Sequence, residues 1–402
     1  MPDGEASDAR VTDLPAGGND RLLSARFVLV VSSGLCYFTA LAMLTPVLPL
    51  YVEKSLGQGS VAVGVAVGAF AVGAIALRTY AGWLGDSLGR RILIIGGAFV
   101  VGVSVACYGL VHAQWYLIVM RVVTGFGEAG FFVGAATMIT DLAPVARRGE
   151  AVSYWSVAVY GGLSFGPVLG GVLCGATTHG RHGHYGRVWA VSAVLAFVAS
   201  ALGTFTVEVE REIVPRARQL FHRAAIEPGS VLFLGLIGLA GFSAFIPLYV
   251  TQIHIGSGPI FAEYGVLILV VRVLGARVPD RMGGRPTAAL ALVLVAAGVG
   301  LIAAWPSIAG LVIGTAVFAA GMSLMYPALL LLSLDGVSDS DRASVVGTFS
   351  SFFDASQGLG AFICGAVVAF AGNRGAFTTG AVCAVAGLIL LRSRPGRSLA
   401  AA

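Results

Sequence analysis

The sequence predicts an all-α membrane protein: twelve transmembrane helices in two six-helix, pseudo-symmetric bundles. Three observations predict it. The composition is too apolar for water, the apolar runs have charged flanks that alternate from side to side, and motif spacing repeats between the halves.

Only 11% of the 402 residues are charged and 57% are hydrophobic, and the mean hydropathy is +0.88. A soluble chain needs about a quarter charged residues to cover its surface, which excludes that class. In a bilayer only helices and closed barrels satisfy their backbone, and the apolar runs are continuous rather than alternating with period two. Helices follow. The net charge of +5 does not point to nucleic acid, because the arginines sit in short clusters between apolar runs. Residues 1–26 are polar and carry Asp3, Glu5, Asp8, Asp13 and Asp20, so no removable signal peptide is read there. Cys36, Cys107, Cys174, Cys364 and Cys383 all fall in apolar runs and read as free, buried thiols.

The twelve candidate spans are 27–51, 60–84, 92–112, 114–139, 150–175, 188–207, 229–251, 259–279, 287–305, 307–333, 344–370 and 375–392. The pair split at Trp305-Pro306 requires a tight turn inside one long apolar stretch. Charge sets direction. With the N-terminus inside, the inner loops and tails hold Arg26, Arg90, Arg91, Arg147, Arg148, Arg211, Arg216, Arg218, Arg223, Arg277, Arg281, Arg285, Arg342 and Arg392, among others. The outer side holds only Lys54, Arg181, Arg187 and Arg374. This positive-inside asymmetry predicts both termini in the cytoplasm and an inner (plasma) membrane location.

Residues 208–228 form the long charged interior segment and read as a cytoplasmic linker lying on the membrane surface. The expected organisation is a tail at 1–26, bundles at 27–207 and 229–392, and a second tail at 393–402. The bundles echo each other. Pro49-Leu50-Tyr51-Val52 recurs as Pro247-Leu248-Tyr249-Val250. Arg78, Asp86, Gly89 and Arg91 recur as Arg272, Asp280, Gly283 and Arg285, an offset of 194 (272 less 78). The same offset carries Asp141 to Asp335, Arg148 to Arg342, Gly166 to Gly360 and Gly171 to Gly365. Parallel six-span repeats are a transporter architecture with the substrate site between the halves.

Residues 82–91 read GWLGDSLGRR. Gly89 permits the positive φ of a tight reversal, and Asp86 can pair with an arginine or with a helix N-terminus. The segment resembles the signature loop of the major facilitator superfamily, from Gly82 through Asp86, Gly89 and Arg90 to Arg91. A degenerate copy runs from Gly275 through Asp280 to Arg285, and Ser87 departs where a basic residue is common. The resemblance covers residues 27–392. It implies alternating access, with Arg342 near the same loops serving the conformational switch.

Span 4 contains Arg121, Gly125, Gly127 and Glu128. A charge inside a span costs at least ~2.5 kcal/mol, so each is a functional candidate. Arg121 and Glu128 lie two turns apart on one face. The run is similar to the superfamily's R-x-x-x-G-x-G motif, which implies proton transfer at Arg121; bracing of helices through carbonyls stays open beside it. In span 11, Asp354 lies near the midplane with Gln357 one turn on. A carboxyl there can exchange protons with either side of an alternating cavity, or serve as a packing hydrogen bond.

In span 5, Gly162, Gly166 and Gly170 recur every four residues and make a flat face, while Pro167 removes a backbone donor. With Gly171 the run resembles the G-x-x-x-G-P-x-x-G-G pattern of drug–proton antiporters, although Ser153 stands where an upstream glycine is expected. The resemblance places spans 1, 4, 7 and 10 around the cavity. It points to Tyr37, Phe38, Phe131, Phe132, Phe242, Phe245, Met322, Met325 and Tyr326, with Gln357 added from span 11. Such aromatic and Met side chains suit an adaptable apolar site or plain packing.

His179, His182 and His184 read as a solvated loop rather than a metal site. No P-loop, G-x-S-x-G or H-E-x-x-H sequence is present, so no catalytic residue, metal or cofactor is expected. The expected function is proton-coupled export of a small amphipathic compound or drug by a monomer in the bilayer. Partners are the small-molecule substrate, protons and lipid, with no nucleic acid. Proton-coupled uptake and sugar efflux fit the same motifs, and a receptor or scaffold on this fold is the rival from another class.

Overall fold

The computed structural model describes residues 23–110, 112–144, 147–175, 183–207, 222–275, 278–338 and 341–393, with backbone only at 79, 81–88, 148–149, 279–280 and 342–343. Among these residues every regular element is helical. Twelve helices are long and apolar enough to cross a membrane. Spans 1 to 6 are Ala25–Lys54, Ser60–Arg78, Arg90–Leu110, Gln114–Leu142, Glu150–Cys174 and Tyr185–Thr204. Spans 7 to 12 are Arg223–Gln252, Ser257–Leu274, Gly284–Ala304, Ile308–Leu334, Ser344–Ala371 and Asn373–Ser393. The protein is therefore a multi-pass membrane protein.

Three local features differ from the linear reading. Span 1 is not one helix: it breaks between Met43 and Leu48 and resumes as Leu48–Lys54. Pro46 and Pro49, close together, remove two backbone donors, whereas span 7 carries Pro228 in its first turn and only Pro247 in its interior, and stays one helix, Ile226–Gln252. That helix also takes residues 226–228 from the segment read as linker; residues 208–221 lie outside the described residues. The reversal after span 2 is narrower than residues 82–91, because the helix runs on to Leu88. Only Gly89 turns, at φ 92°, and Gly283 repeats the geometry at φ 84°. Near ψ 150° this backbone region belongs essentially to glycine. The turn at Trp305-Pro306 forms as expected, with Ser307 Oγ capping the next helix by accepting from Gly310 N–H at 3.0 Å.

The two halves use one packing scheme. Span 1 packs on 5 and 6, span 2 on 4, and span 3 on 4 and 6; in the second half 7 packs on 11 and 12, 8 on 10, and 9 on 10 and 12. Lipid is as apolar as leucine, so close approach and hydrogen bonds hold such helices together. Ser33 and Ser192 do this between spans 1 and 6, donating to Ala199 O (2.8 Å) and Ala40 O (2.7 Å).

Contact between the halves runs mainly through spans 2 with 11 and 5 with 8, the same pair twice under the internal symmetry. Glycines make it possible. A Cβ on Gly68 would lie 2.5 Å from Gly358 O, and one on Gly365 2.7 Å from Ser60 O. Gly171 faces Gly258, with 3.5 Å left for a Cβ, and Gly265 abuts Ser164. All these contacts lie from the middle of the bundle toward the end that holds the turn before Ser60. The short helix Leu48–Lys54 meets span 7 at that same end. Among the described residues the halves are thus joined mainly at the end away from the arginine-rich turns at Gly89 and Gly283.

Candidate functional site

Between the halves, at mid-depth, Arg78 of span 2 holds two carboxylates. One guanidinium nitrogen donates to both oxygens of Glu128 on span 4, at 3.2 and 3.0 Å. Its Nε lies 3.1 Å from Asp354 Oδ2 on span 11. Among the described residues this is the ion pair that crosses from one half to the other; the rest stay within a half. The three side chains are largely withdrawn, at 17%, 11% and 8% exposure for Arg78, Glu128 and Asp354. One cation faces two anions, so the cluster carries a net negative charge when both acids are ionised.

Aromatic rings close around it. The Arg78 guanidinium sits 5.2 Å from the centre of the Phe132 ring. Tyr37 stacks on Phe131 at 3.7 Å and feels the charges of Glu128 and Arg78. Its buried hydroxyl makes no hydrogen bond, and neither does Gln357 Nε2. Tyr326 packs edge-on against Phe349 and Phe353, near the charges of Arg78 and Asp354.

Helical spacing puts Arg121 and Glu128 on one face, with bracing through carbonyls left open for Arg121. The structure separates them. Arg121 donates to Ala66 O (3.1 Å) and Val67 O (3.3 Å) and lies over Phe70 (4.9 Å), bracing span 4 against span 2. Phe245 and Met325, read as cavity residues, are fully buried in the second half, where the Met325 sulfur packs against Gly235. Tyr37, Phe131, Tyr326 and Gln357 gather near the charge cluster.

The signature loop serves its own half here. Arg90 pairs with Asp141, tying the start of span 3 to the end of span 4. Arg91 donates to Thr204 O at 2.5 Å, at the end of span 6. Arg285 repeats that role on span 12, donating to Leu391 O at 2.7 and 3.2 Å and to Glu227 at 3.0 Å. In each half an arginine thus meets the negative end of the last helix. The side chains of Asp86, Asp280 and Arg342, and the surroundings of Gly82, lie outside the described residues.

The span 5 glycine face packs on span 1. Cβ atoms on Gly162 and Gly166 would lie 2.7 Å from Phe38 and 2.5 Å from Ala42, and one on Gly170 would collide with Met43. Pro167 sits inside the helix without ending it.

Two site residues escaped the sequence. Arg78 and Arg272 stood there only as marks of the repeat, although each is a charge in an apolar run. Arg272 of span 8 lies over the Tyr160 ring of span 5 at 4.1 Å, the symmetry counterpart of Arg78 reaching Asp354.

Comparison with known proteins agrees with this architecture. The Major Facilitator Superfamily profile matches residues 30–296 and 257–401. An uncharacterized MFS-type transporter of Salmonella typhimurium is 29% identical over 354 residues, covering 85% of this chain and 89% of its own. One from Burkholderia mallei is 28% identical over 389 residues, 91% of both chains. Among solved structures, a bacterial homolog of the human lysosomal transporter Spinster, inward-facing and unoccupied, has a TM-score of 0.73. It shares 16% identity over 94% of this chain and 96% of that one. The human organic anion transporter TETRAN has a TM-score of 0.68 at 18% identity, over 94% of this chain and 100% of its own. At such identities the likeness is one of fold.

Proposed function

The chain belongs to the major facilitator superfamily, a family of secondary transporters rather than enzymes, and we propose that it exports a small amphipathic organic compound in exchange for protons. The observation that carries the reading is Arg78 shared between Glu128 of its own half and Asp354 of the other. A proton taken up by either acid neutralises the cluster's net charge and weakens one of the two ion pairs. When the proton goes to Asp354, the pair that weakens is the one between halves. Proton binding and the relative position of the halves then become one equilibrium.

With the arginine-rich turns in the cytoplasm of a cell whose inner membrane holds the protein, the joined end faces outward. The structure is then the inward-facing state. Breaking a buried pair by removing one partner costs about 3–5 kcal/mol, enough to redistribute two states a few kcal/mol apart. Export rather than uptake rests on the antiporter-type glycine face of span 5, which fixes how closely spans 1 and 5 move together.

The test is reconstitution into liposomes with an internal pH-sensitive dye, screened against amphipathic compounds and sugars. Substrate added on one side should drive protons the opposite way. Protons moving with the substrate would assign uptake instead, and substrate flux with no proton flux would remove Glu128 and Asp354 from the mechanism.

A further inference from the structure

The central layer holds a second arginine with no acid. Arg272 is the symmetry counterpart of Arg78, 194 residues on, and the counterparts of its two carboxylates are not acidic: Glu128 maps to Met322 and Asp354 to Tyr160. Among the described residues no carboxylate lies within 4 Å of Arg272 and no acceptor takes its N–H groups; its one contact of note is the Tyr160 ring. Depth is set by Tyr160, which lies twelve residues into a helix that runs from Arg148 to Cys174. Arg272 sits in the last turn of its own helix, whose negative end offsets part of the charge without using the donors.

Stacking occupies only the face of a guanidinium. Its five N–H groups point outward in the plane, in a fork that matches a carboxylate. The surroundings suit an aromatic or amphipathic body. Tyr264, close enough to Arg272 to feel its charge, stacks on Phe318 at 5.5 Å and packs against Phe242 at 5.2 Å. Arg78, by contrast, donates to Glu128 and is ion-paired with Asp354.

We propose that Arg272, held against Tyr160, is the anchor for an anionic group on the transported molecule, and that this molecule is an organic carboxylate with an apolar body. The inference rests on the transport reading above but not on proton coupling. Since Arg272 belongs to one half and Tyr160 to the other, the bound anion would sit at their seam.

Equilibrium binding in lipid nanodiscs, at fixed pH and without a gradient, tests it separately from coupling. Benzoate, naphthoate and phenylbutyrate are each compared with the amide and amine of the same skeleton, by the rise each gives in the unfolding temperature. At least one carboxylate should stabilise the protein while its amide and amine do not. Arg272→Gln should weaken that binding roughly tenfold to a hundredfold, the loss of a charge-assisted hydrogen bond. Arg272→Lys should keep the preference for carboxylate at reduced affinity, which separates a lost anchor from a misfolded protein. The proposal is overturned if amines stabilise and carboxylates do not, if no carboxylate stabilises, or if Arg272→Gln binds carboxylate as wild type does.

Discussion

Asp354 of span 11 and Tyr160 of span 5 hold equivalent places in the two halves, and each receives the arginine of the other half. Arg78 reaches Asp354 at 3.1 Å and Arg272 covers the Tyr160 ring at 4.1 Å. One seam contact is an ion pair and responds to protons. The other is a cation–π contact and does not, so the internal symmetry is kept in geometry and broken in chemistry.

Coupling is expected to fail at Glu128. Glu128→Gln keeps the shape but cannot release a proton, so proton-driven transport in liposomes should fall to background while equilibrium binding of substrate persists. Asp354→Asn should do the same, and the double variant should be no worse than either single one, because both acids act through Arg78. Full proton flux in Glu128→Gln would leave Asp354 as the carrier.

Closure at the end where Gly171 meets Gly258 is expected to be reversible and required. In a background lacking the five native cysteines, Gly171→Cys with Gly258→Cys should form an oxidative cross-link, since a Cβ at Gly171 stands 3.5 Å from Gly258. Transport should stop on oxidation and return on reduction. Undiminished transport by the cross-linked protein would show that spans 5 and 8 do not part during the cycle.

The glycine face of span 5 is expected to be intolerant. A Cβ at Gly166 lies 2.5 Å from the Ala42 Cβ, whereas one at Gly161 meets only Leu35 at 3.4 Å. Gly166→Ala should cost about 1–3 kcal/mol by overpacking and Gly161→Ala much less. Thermal unfolding in nanodiscs reads the difference; equal unfolding temperatures would mean that span 1 yields freely.

Orientation is expected to follow the arginines. Cysteines at Lys54 and Gly180 should react with an impermeant thiol reagent added outside intact cells, and ones at Ser87 and Ser338 should not. Reaction at all four positions would contradict the twelve-span assignment.

The sequence by itself determined the solvent, the span count and the internal repeat. These depend on sums over long stretches, such as apolar length, flanking charge and a constant 194-residue offset, and no single contact alters them. It also determined Gly89 and Gly283, since a reversal at positive φ leaves little choice of residue. Partner choice was decided by tertiary structure. Helical spacing put Arg121 and Glu128 on one face, yet a long guanidinium goes to whichever acceptor the neighbouring helix offers. Span 2 offered carbonyls to Arg121 and the Arg78 guanidinium to Glu128. The break in span 1 coincides with Pro46 and Pro49 standing close together, and Met325 was buried against Gly235, a neighbour that no pattern within its own helix reveals. Arg78 and Arg272 were visible as charges in apolar runs; only the packing of span 2 on 11 and of 8 on 5 showed that one meets an acid and the other a ring.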